Sequence, residues 1–364
     1  MKNLKVVFVS NWWANPYMDS LIENLASQGV QVEPCNWGMI FLPQILKQWK
    51  LDILHLHELR GFLVGKSNLS RLVKLLIFLI QILILRVLGV KVVWTVHEWK
   101  DKLGEGRHEI PASTATIVGK CIDAIITHCN TVKEEIVTTF QLEDKNKVFV
   151  VPHGNYIGCY ENKINQLAAR KILDIPTENF VFLLFGGLYR HKGVLELIDA
   201  FQGLPQNRLS LLIAGNPNED QLDALITSKI RDYQNILFVP KRIPDEDIQI
   251  YMNACNCVVV PYKVFTTSGV AILSMSFGRA CIAPDIGFFK DVLDPFGSFL
   301  YDSADETSLL YAMKCAIEKR DEILDMGNHN LKLAEQWNWN DVTEETFKIY
   351  QMCLSSSYSH PKLS

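Results

Sequence analysis

The chain has 364 residues, of which 48% are hydrophobic and 21% charged. That length suits two domains rather than one core, and the composition excludes wholesale disorder. Lys plus Arg (36) against Asp plus Glu (40) leaves a net charge of −4, which excludes a protein built to coat nucleic acid, so no nucleic-acid partner is expected. The nine cysteines are scattered and never spaced as paired CxxC ligands. Even the close pair Cys255 and Cys257 sits in a run that reads as a buried strand. Reduced core thiols in a cytosolic protein are expected, ahead of a disulfide scaffold or a zinc site.

Met1-Lys2-Asn3 leads directly into a strand-like run, so the start reads as a first β-strand and not a signal peptide. From there short β-branched runs alternate with helical patterns, the mark of parallel α/β layers. In the first half strands are expected at Lys5–Ser10, Val30–Pro34, Ile53–His57, Lys91–Val96, Ala124–Thr127 and Val148–Val151. Helices are expected at Tyr17–Gln28, Leu72–Leu88 and Val132–Thr139. The polar stretch Tyr160–Ala168 reads as a connection. Beyond it strands are expected at Phe180–Gly186, Leu209–Ala214, Ile236–Phe238, Cys257–Pro261, Ala280–Ala283 and Gly297–Tyr301. The helices of that half are Val194–Phe201, Glu219–Asp232, Asp245–Asn253, Gly269–Phe277, Ala304–Glu318 and Asp321–Ala334. Two doubly wound halves follow, with a disordered tail at Ser355–Ser364.

Arg60–Lys91 departs from an ordinary α/β pattern. It carries Arg60, Lys66, Arg71, Lys74, Arg86 and Lys91 with no acidic residue, around the nearly unbroken apolar run Leu75–Leu85. Lys74, Gln81 and Arg86 interrupt that run, which argues against a membrane span. Two readings remain: a buried crossover helix, or a helix that also rests on an anionic membrane surface with Arg71, Lys74 and Arg86 near lipid phosphates.

Ligands of open α/β sheets bind beyond the carboxyl ends of the strands, and four loops there carry suggestive residues. Ser10–Tyr17 lacks G-x-G-x-x-G, so no dinucleotide cofactor is expected. Its Asn11, Trp12 and Asn15 suit a sugar-like acceptor, amides for hydroxyls and an aromatic face to stack on, against plain loop packing. His97 and Glu98 follow a strand of buried types, with His108 and Glu109 shortly after, and His97 is a candidate sugar ligand or base. His55 and His57 share a strand face and read as a satisfied core pair rather than metal ligands. Phe185–Gly193 places Arg190 and Lys192 at a helix entrance among Gly186, Gly187 and Gly193, an anion site if the cations are not simply solvated. Pro261–Gly269 offers Thr267, Ser268 and Gly269 at a helix N-terminus, for an anion or merely for an N-cap. Following strands of one half, the last two loops can converge on one diphosphate.

The order of these residues resembles the group 1 glycosyltransferases of the GT-B fold, two Rossmann-like doubly wound domains facing a cleft, in a bacterial polysaccharide-synthesis branch. The resemblance is carried by Gly187–Val194 with Ala200-Phe201, Ala214-Gly215, Ser268–Gly278, Ala283–Gly287, and Trp339 before a final helix ending near Tyr350. Val151–Tyr156, Asn15–Tyr17 and Trp94–His97 add to it. It implies an acceptor-side domain at residues 1–160, joined by the helix 340–354, and a nucleotide-sugar-binding domain at 161–339. It implies a hexosyl transfer, without a metal ion, from a nucleotide-diphosphate sugar to a glycan or glycolipid acceptor. The enzyme would be cytoplasmic, possible work on the inner face of the plasma membrane included. Gly187, Arg190, Lys192 and Thr267–Gly269 would hold the donor, and His97 or Glu98 would serve as base if the reaction inverts. Where the family usually has two glutamates eight positions apart, this chain has Phe265 and Leu273. A non-catalytic nucleotide-sugar-binding relative and a GT-B-fold epimerase are the alternatives.

Overall fold

The computed structural model describes residues 4–11, 13, 15–47, 50–65, 67–99 and 110–355. The chain divides into two compact units, Met1–Gly154 with Asn338–Ser364, and Asn155–Trp337. The expected residues Trp12, Lys66, His108 and Glu109, and the tail beyond residue 355, lie outside the described residues.

The first unit runs β1 (Leu4–Ser10), α1 (Pro16–Ser27), β2 (Val30–Asn36), α2 (Leu42–Leu46), β3 (Ile53–Leu56), α3 (Arg60–Leu63), α4 (Asn68–Val87), β4 (Lys91–Thr95), α5 (Ala112–Cys121), β5 (Ala124–Thr127), α6 (Asn130–Thr139) and β6 (Val148–Val150). The second runs α7 (Gln166–Ile172), β7 (Phe180–Phe185), α8 (Val194–Gln202), β8 (Leu209–Ala214), α9 (Leu222–Ile230), β9 (Ile236–Val239), α10 (Ile248–Ala254), β10 (Cys257–Val259), α11 (Gly269–Ser276), β11 (Ala280–Pro284), α12 (Gly287–Val292), β12 (Ser298–Tyr301), α13 (Ser308–Glu318) and α14 (Ile323–Glu335). The last helix, α15 (Trp339–Ser355), returns to the first unit.

Each unit holds a six-stranded parallel sheet, ordered β2-β1-β3-β4-β5-β6 in the first and β12-β11-β10-β7-β8-β9 in the second. Central strands such as β7 and β8 are buried along their whole length, as a sheet covered on both faces requires. Pro34 lies in β2, an edge strand, where its missing N–H costs no ladder bond on the open side. In both sheets the order reverses beside the first strand, between β1 and β3 and between β7 and β10. Those switch points open a crevice at the carboxyl ends of the strands.

The twelve expected strands form, with ends shifted by a residue or two. The helices depart more. α9 starts at Leu222 instead of Glu219, because Gln221 takes a left-handed φ of 62° and Glu219 is turned to another partner. The expected Asp245 start is a short 3-10 turn, Asp245–Asp247, before α10. α2, α3, α5, α7 and α12 went unanticipated. Four are at most seven residues long, and α5 is Ser- and Thr-rich, so apolar periodicity could not reveal them.

Candidate functional site

In the second unit the loops after β7 and β10 meet at the switch point. Gly186 turns the first loop out of β7 at φ 95°, and a 3-10 turn, Arg190–Lys192, ends on Gly193 at φ 71°. A Cβ on Gly193 would stand 2.1 Å from Pro261 O, so only glycine lets the loops approach this closely. The backbone N of Lys263 donates to His191 O at 2.8 Å, and Lys192 Nζ lies 5.3 Å from the Tyr262 ring centroid. The turn that carries Arg190 and Lys192 is therefore packed against the second loop. Arg190 Nε lies 3.2 Å from Glu219 Oε2, a partner the sequence reading missed.

Ser268 is the N-cap of α11, its Oγ accepting from Ala271 N at 3.2 Å, so the plain capping reading holds for that hydroxyl. Gly269 opens the helix beside Tyr156, whose hydroxyl is 3.2 Å from where a Cβ would lie. Phe265 packs its ring 4.5 Å from that of Phe289, and Leu273 is buried in α11. The two positions where a carboxylate pair was expected from the resemblance are thus apolar in space as well as in sequence.

In the first unit a histidine follows each of β3, β4, β5 and β6. His57, His97, His128 and His153 gather with Tyr17 at the carboxyl end of the sheet. The Tyr17 ring centroid is 5.0 Å from His97 and 4.8 Å from His153. His57 Nδ1 lies 3.2 Å from His97 Nε2, while His128 Nδ1 donates to Val151 O at 2.9 Å and His153 Nδ1 to Gly154 O at 2.8 Å. His55 sits behind them between Tyr350 Oη (2.6 Å) and Thr95 Oγ1 (2.7 Å), a satisfied core histidine as expected. His57, expected to be satisfied with it, keeps its Nε2 buried without a hydrogen-bond partner among the described residues. Burial away from water disfavours the imidazolium in all five. It brings His55 and His153 down to about 3 and His128 to about 4, and holds His57 and His97 well below the usual range. The cluster is neutral at pH 7. His97 is buried within it, whereas Glu98 is exposed. The strand-end position shared by four histidines is the signal that a residue-by-residue reading passes over.

Of the acceptor candidates, Asn11 is exposed, and Asn15 caps α1, its Oδ1 accepting from Tyr17 N at 3.0 Å. Among the described residues no group of three or more His, Cys, Asp and Glu could hold a metal ion.

α4 is long and apolar enough to cross a membrane by length and composition. Leu75, Phe78, Ile82 and Leu85 are buried, and α4 packs against β4, α3 and α5. Gln81 joins that inner face, its Oε1 accepting from Phe41 N (2.8 Å) and Leu42 N (3.0 Å). Each of the three cations read for lipid phosphates also donates to a backbone carbonyl. Arg71 Nε donates to Gly65 O (3.3 Å), Lys74 Nζ to Val64 O (2.8 Å), and Arg86 to Cys121 O (3.3 Å) at the end of α5. Leu69, Leu72, Val73, Leu76, Ile80, Leu83, Ile84 and Val87, spaced three and four apart, are exposed and form a second apolar stripe.

Residues 165–333 match the family model described as glycosyl transferases group 1. A GDP-mannose:glycolipid 4-beta-D-mannosyltransferase of Xanthomonas campestris pv. campestris is 24% identical over 302 residues, 82% of this chain and 79% of that protein. A UDP-Gal:alpha-D-GlcNAc-diphosphoundecaprenol alpha-1,3-galactosyltransferase of Escherichia coli is 24% identical over 313 residues, 81% and 73%. Among solved structures, Anabaena HepE in complex with UDP superposes with a TM-score of 0.75 at 14% identity, over 96% of this chain and 100% of that one. A Rickettsia africae glycosyltransferase superposes with a TM-score of 0.77 at 12% identity, over 98% and 100%.

Proposed function

We propose, from the premise that this chain is a glycosyltransferase of GT-B fold carrying a group 1 domain at residues 165–333, that its acceptor is lipid-linked and that it works lying on a membrane. The observation that carries this reading is the exposed apolar stripe of α4. An amphipathic helix buries such a face at the boundary between headgroups and acyl chains, and here its opposite face is already committed to the first unit. The relatives named for glycolipid and diphosphoundecaprenol acceptors support the same substrate class. We place the enzyme in the cytoplasm, peripheral on the inner face of the plasma membrane, with its nine cysteines free thiols.

In the reaction the bond between the sugar's anomeric carbon and the donor's phosphate oxygen breaks. The nucleoside diphosphate leaves with the electron pair, and the acceptor oxygen bonds to the anomeric carbon. Charge grows on the leaving diphosphate, so the proposed donor ligands are Arg190 and Lys192, with Gly187 and the Thr267–Gly269 N-terminus of α11 alongside. Fixed cations supply there what a divalent metal would supply elsewhere, which is the ground for proposing a metal-independent transfer. If the reaction inverts, His97 or Glu98, after β4, is the group proposed to receive the acceptor proton; Glu98 is exposed, and His97 is buried and neutral. Asn11 and Asn15 keep their proposed place at the acceptor's hydroxyls.

The test is flotation with vesicles of phosphatidylglycerol and phosphatidylcholine, followed by sugar transfer to short polyprenyl-diphosphate-linked and to water-soluble glycan acceptors. Vesicle binding and transfer to the lipid-linked acceptor alone are expected. A protein that stays off the vesicles and glycosylates only the soluble glycan would overturn the lipid reading.

A further inference from the structure

The loop after β8 is bound to the donor loop along its whole length. Gly215 presses so closely on the turn after β7 that a Cβ there would fall 1.7 Å from Gly186 O. Leu188 and Pro217 form a parallel bridge, with Leu188 N donating to Asn216 O (2.8 Å) and Asn218 N donating to Leu188 O (3.0 Å). One carboxylate completes the contact. Glu219 Oε1 accepts from the backbone N of Arg190 at 3.1 Å, and Glu219 Oε2 forms an ion pair with Arg190, 3.2 Å from its Nε. The Glu219 side chain is 17% exposed and that of Arg190 48%, so the carboxylate is the anchored partner and the guanidinium reaches outward.

We propose that Glu219 is a positioning residue for the donor diphosphate, acting through Arg190. A guanidinium has five N–H donors in a fixed plane, and Glu219 pairs with its Nε edge. The four on the terminal nitrogens are left to grip phosphate oxygens as a fork. An arginine side chain is rich in rotamers, and holding it before the ligand arrives removes that ordering cost from binding. The second bond, to the backbone of Arg190, also holds the first residue of the turn that carries Lys192. Glu219 carries negative charge and opposes an incoming diphosphate, yet it lies on the Nε side of the plane, and orientation outweighs that repulsion. The proposal rests on the reading of Arg190 as a phosphate ligand.

Calorimetric titration with UDP, GDP, ADP and dTDP finds the diphosphate that the wild type binds, and the matching nucleoside serves as the phosphate-free control. Glu219→Gln keeps the shape and the acceptor for the backbone N–H but turns an uncharged NH2 donor toward Arg190 Nε. It should weaken the nucleoside diphosphate about tenfold, the scale of one charge-assisted hydrogen bond, with nucleoside affinity and Tm unchanged. The double variant Arg190→Ala, Glu219→Gln should bind no more weakly than Arg190→Ala alone. Should Glu219→Gln not fold, Glu219→Ala carries the single-variant comparison only, because it also removes the bond to the Arg190 backbone. Unchanged or tighter diphosphate binding in the Glu219 variants, while Arg190→Ala weakens it, overturns the positioning role alone. So do additive losses in the double variant. A wild type that binds none of the four, or an Arg190→Ala variant that binds like the wild type, overturns the donor-site reading and the positioning role with it.

Discussion

At the scale of single residues, the loop after β7 combines cations with backbone that only glycine can adopt. Arg190→Ala and Lys192→Ala should each weaken nucleoside-diphosphate binding by about 1.5–3 kcal/mol, the worth of a hydrogen bond to a charged group, without lowering Tm. Titration calorimetry beside a melting curve reads both. Gly193→Ala should act in the opposite way. Its φ of 71° and the 2.1 Å approach to Pro261 O put strain and a backbone clash into the same spot. The left-handed conformation alone costs about 1–3 kcal/mol for a residue with a side chain, so Tm should fall and donor binding with it. Arg190, Lys192 and Gly193 were legible because charge at a helix entrance and glycine at a turn have local meanings. Glu219 was not, since its partner lies 29 residues away and a glutamate after a strand carries no sign of what it will bind.

At the scale of elements, α4 shows how one apolar run can serve two neighbours. Its inner stripe closes the first unit and its outer stripe is exposed. Substituting Leu76, Ile80 and Leu83 together by Gln should release the protein from anionic vesicles, while Tm and nucleoside-diphosphate affinity stay near wild type. Each side chain removed takes away about 1.5–3 kcal/mol of the burial available to it in a lipid interface. Retained flotation would show that another surface docks. Charge reversal at Lys74 or Arg86 does not isolate a lipid contact. Those groups hold carbonyls at the ends of α3 and α5, so their reversal should lower Tm before it reveals anything about lipid. The apolar length of this helix and the absence of acids around it were visible in the sequence. Which face each cation occupies depends on neighbours that the helix meets only after folding.

At the scale of the whole molecule, the two units differ in how they should answer to acid. The five buried histidines of the first unit are neutral when folded and protonate near their ordinary value when unfolded. Their folded values are depressed, so the stability they permit is complete above about pH 6.5 and is lost as pH falls toward those values, about 3 for His55 and His153 and about 4 for His128. Each unit of depression corresponds to about 1.4 kcal/mol. Acid titration followed by hydrogen exchange should show the first unit opening between pH 6 and 4, before the second. His128→Gln, which keeps a donor for Val151 O, should move that transition to lower pH. Simultaneous opening of both units, or a transition unmoved by the substitution, would count against the cluster as its cause.

By itself the sequence determined the alternation of strands and helices, the two doubly wound halves and the loops where chemistry gathers, because hydrophobic period, turn residues and charge act over a few positions. Tertiary structure alone decided which loops touch, that four histidines after four strands meet around Tyr17, that Arg190 leans on Glu219, and that the cations of α4 donate to carbonyls of neighbouring segments. Those pairings depend on strand order and on close approach between segments far apart in the chain, which the packing of a folded sheet brings together and a local pattern does not encode.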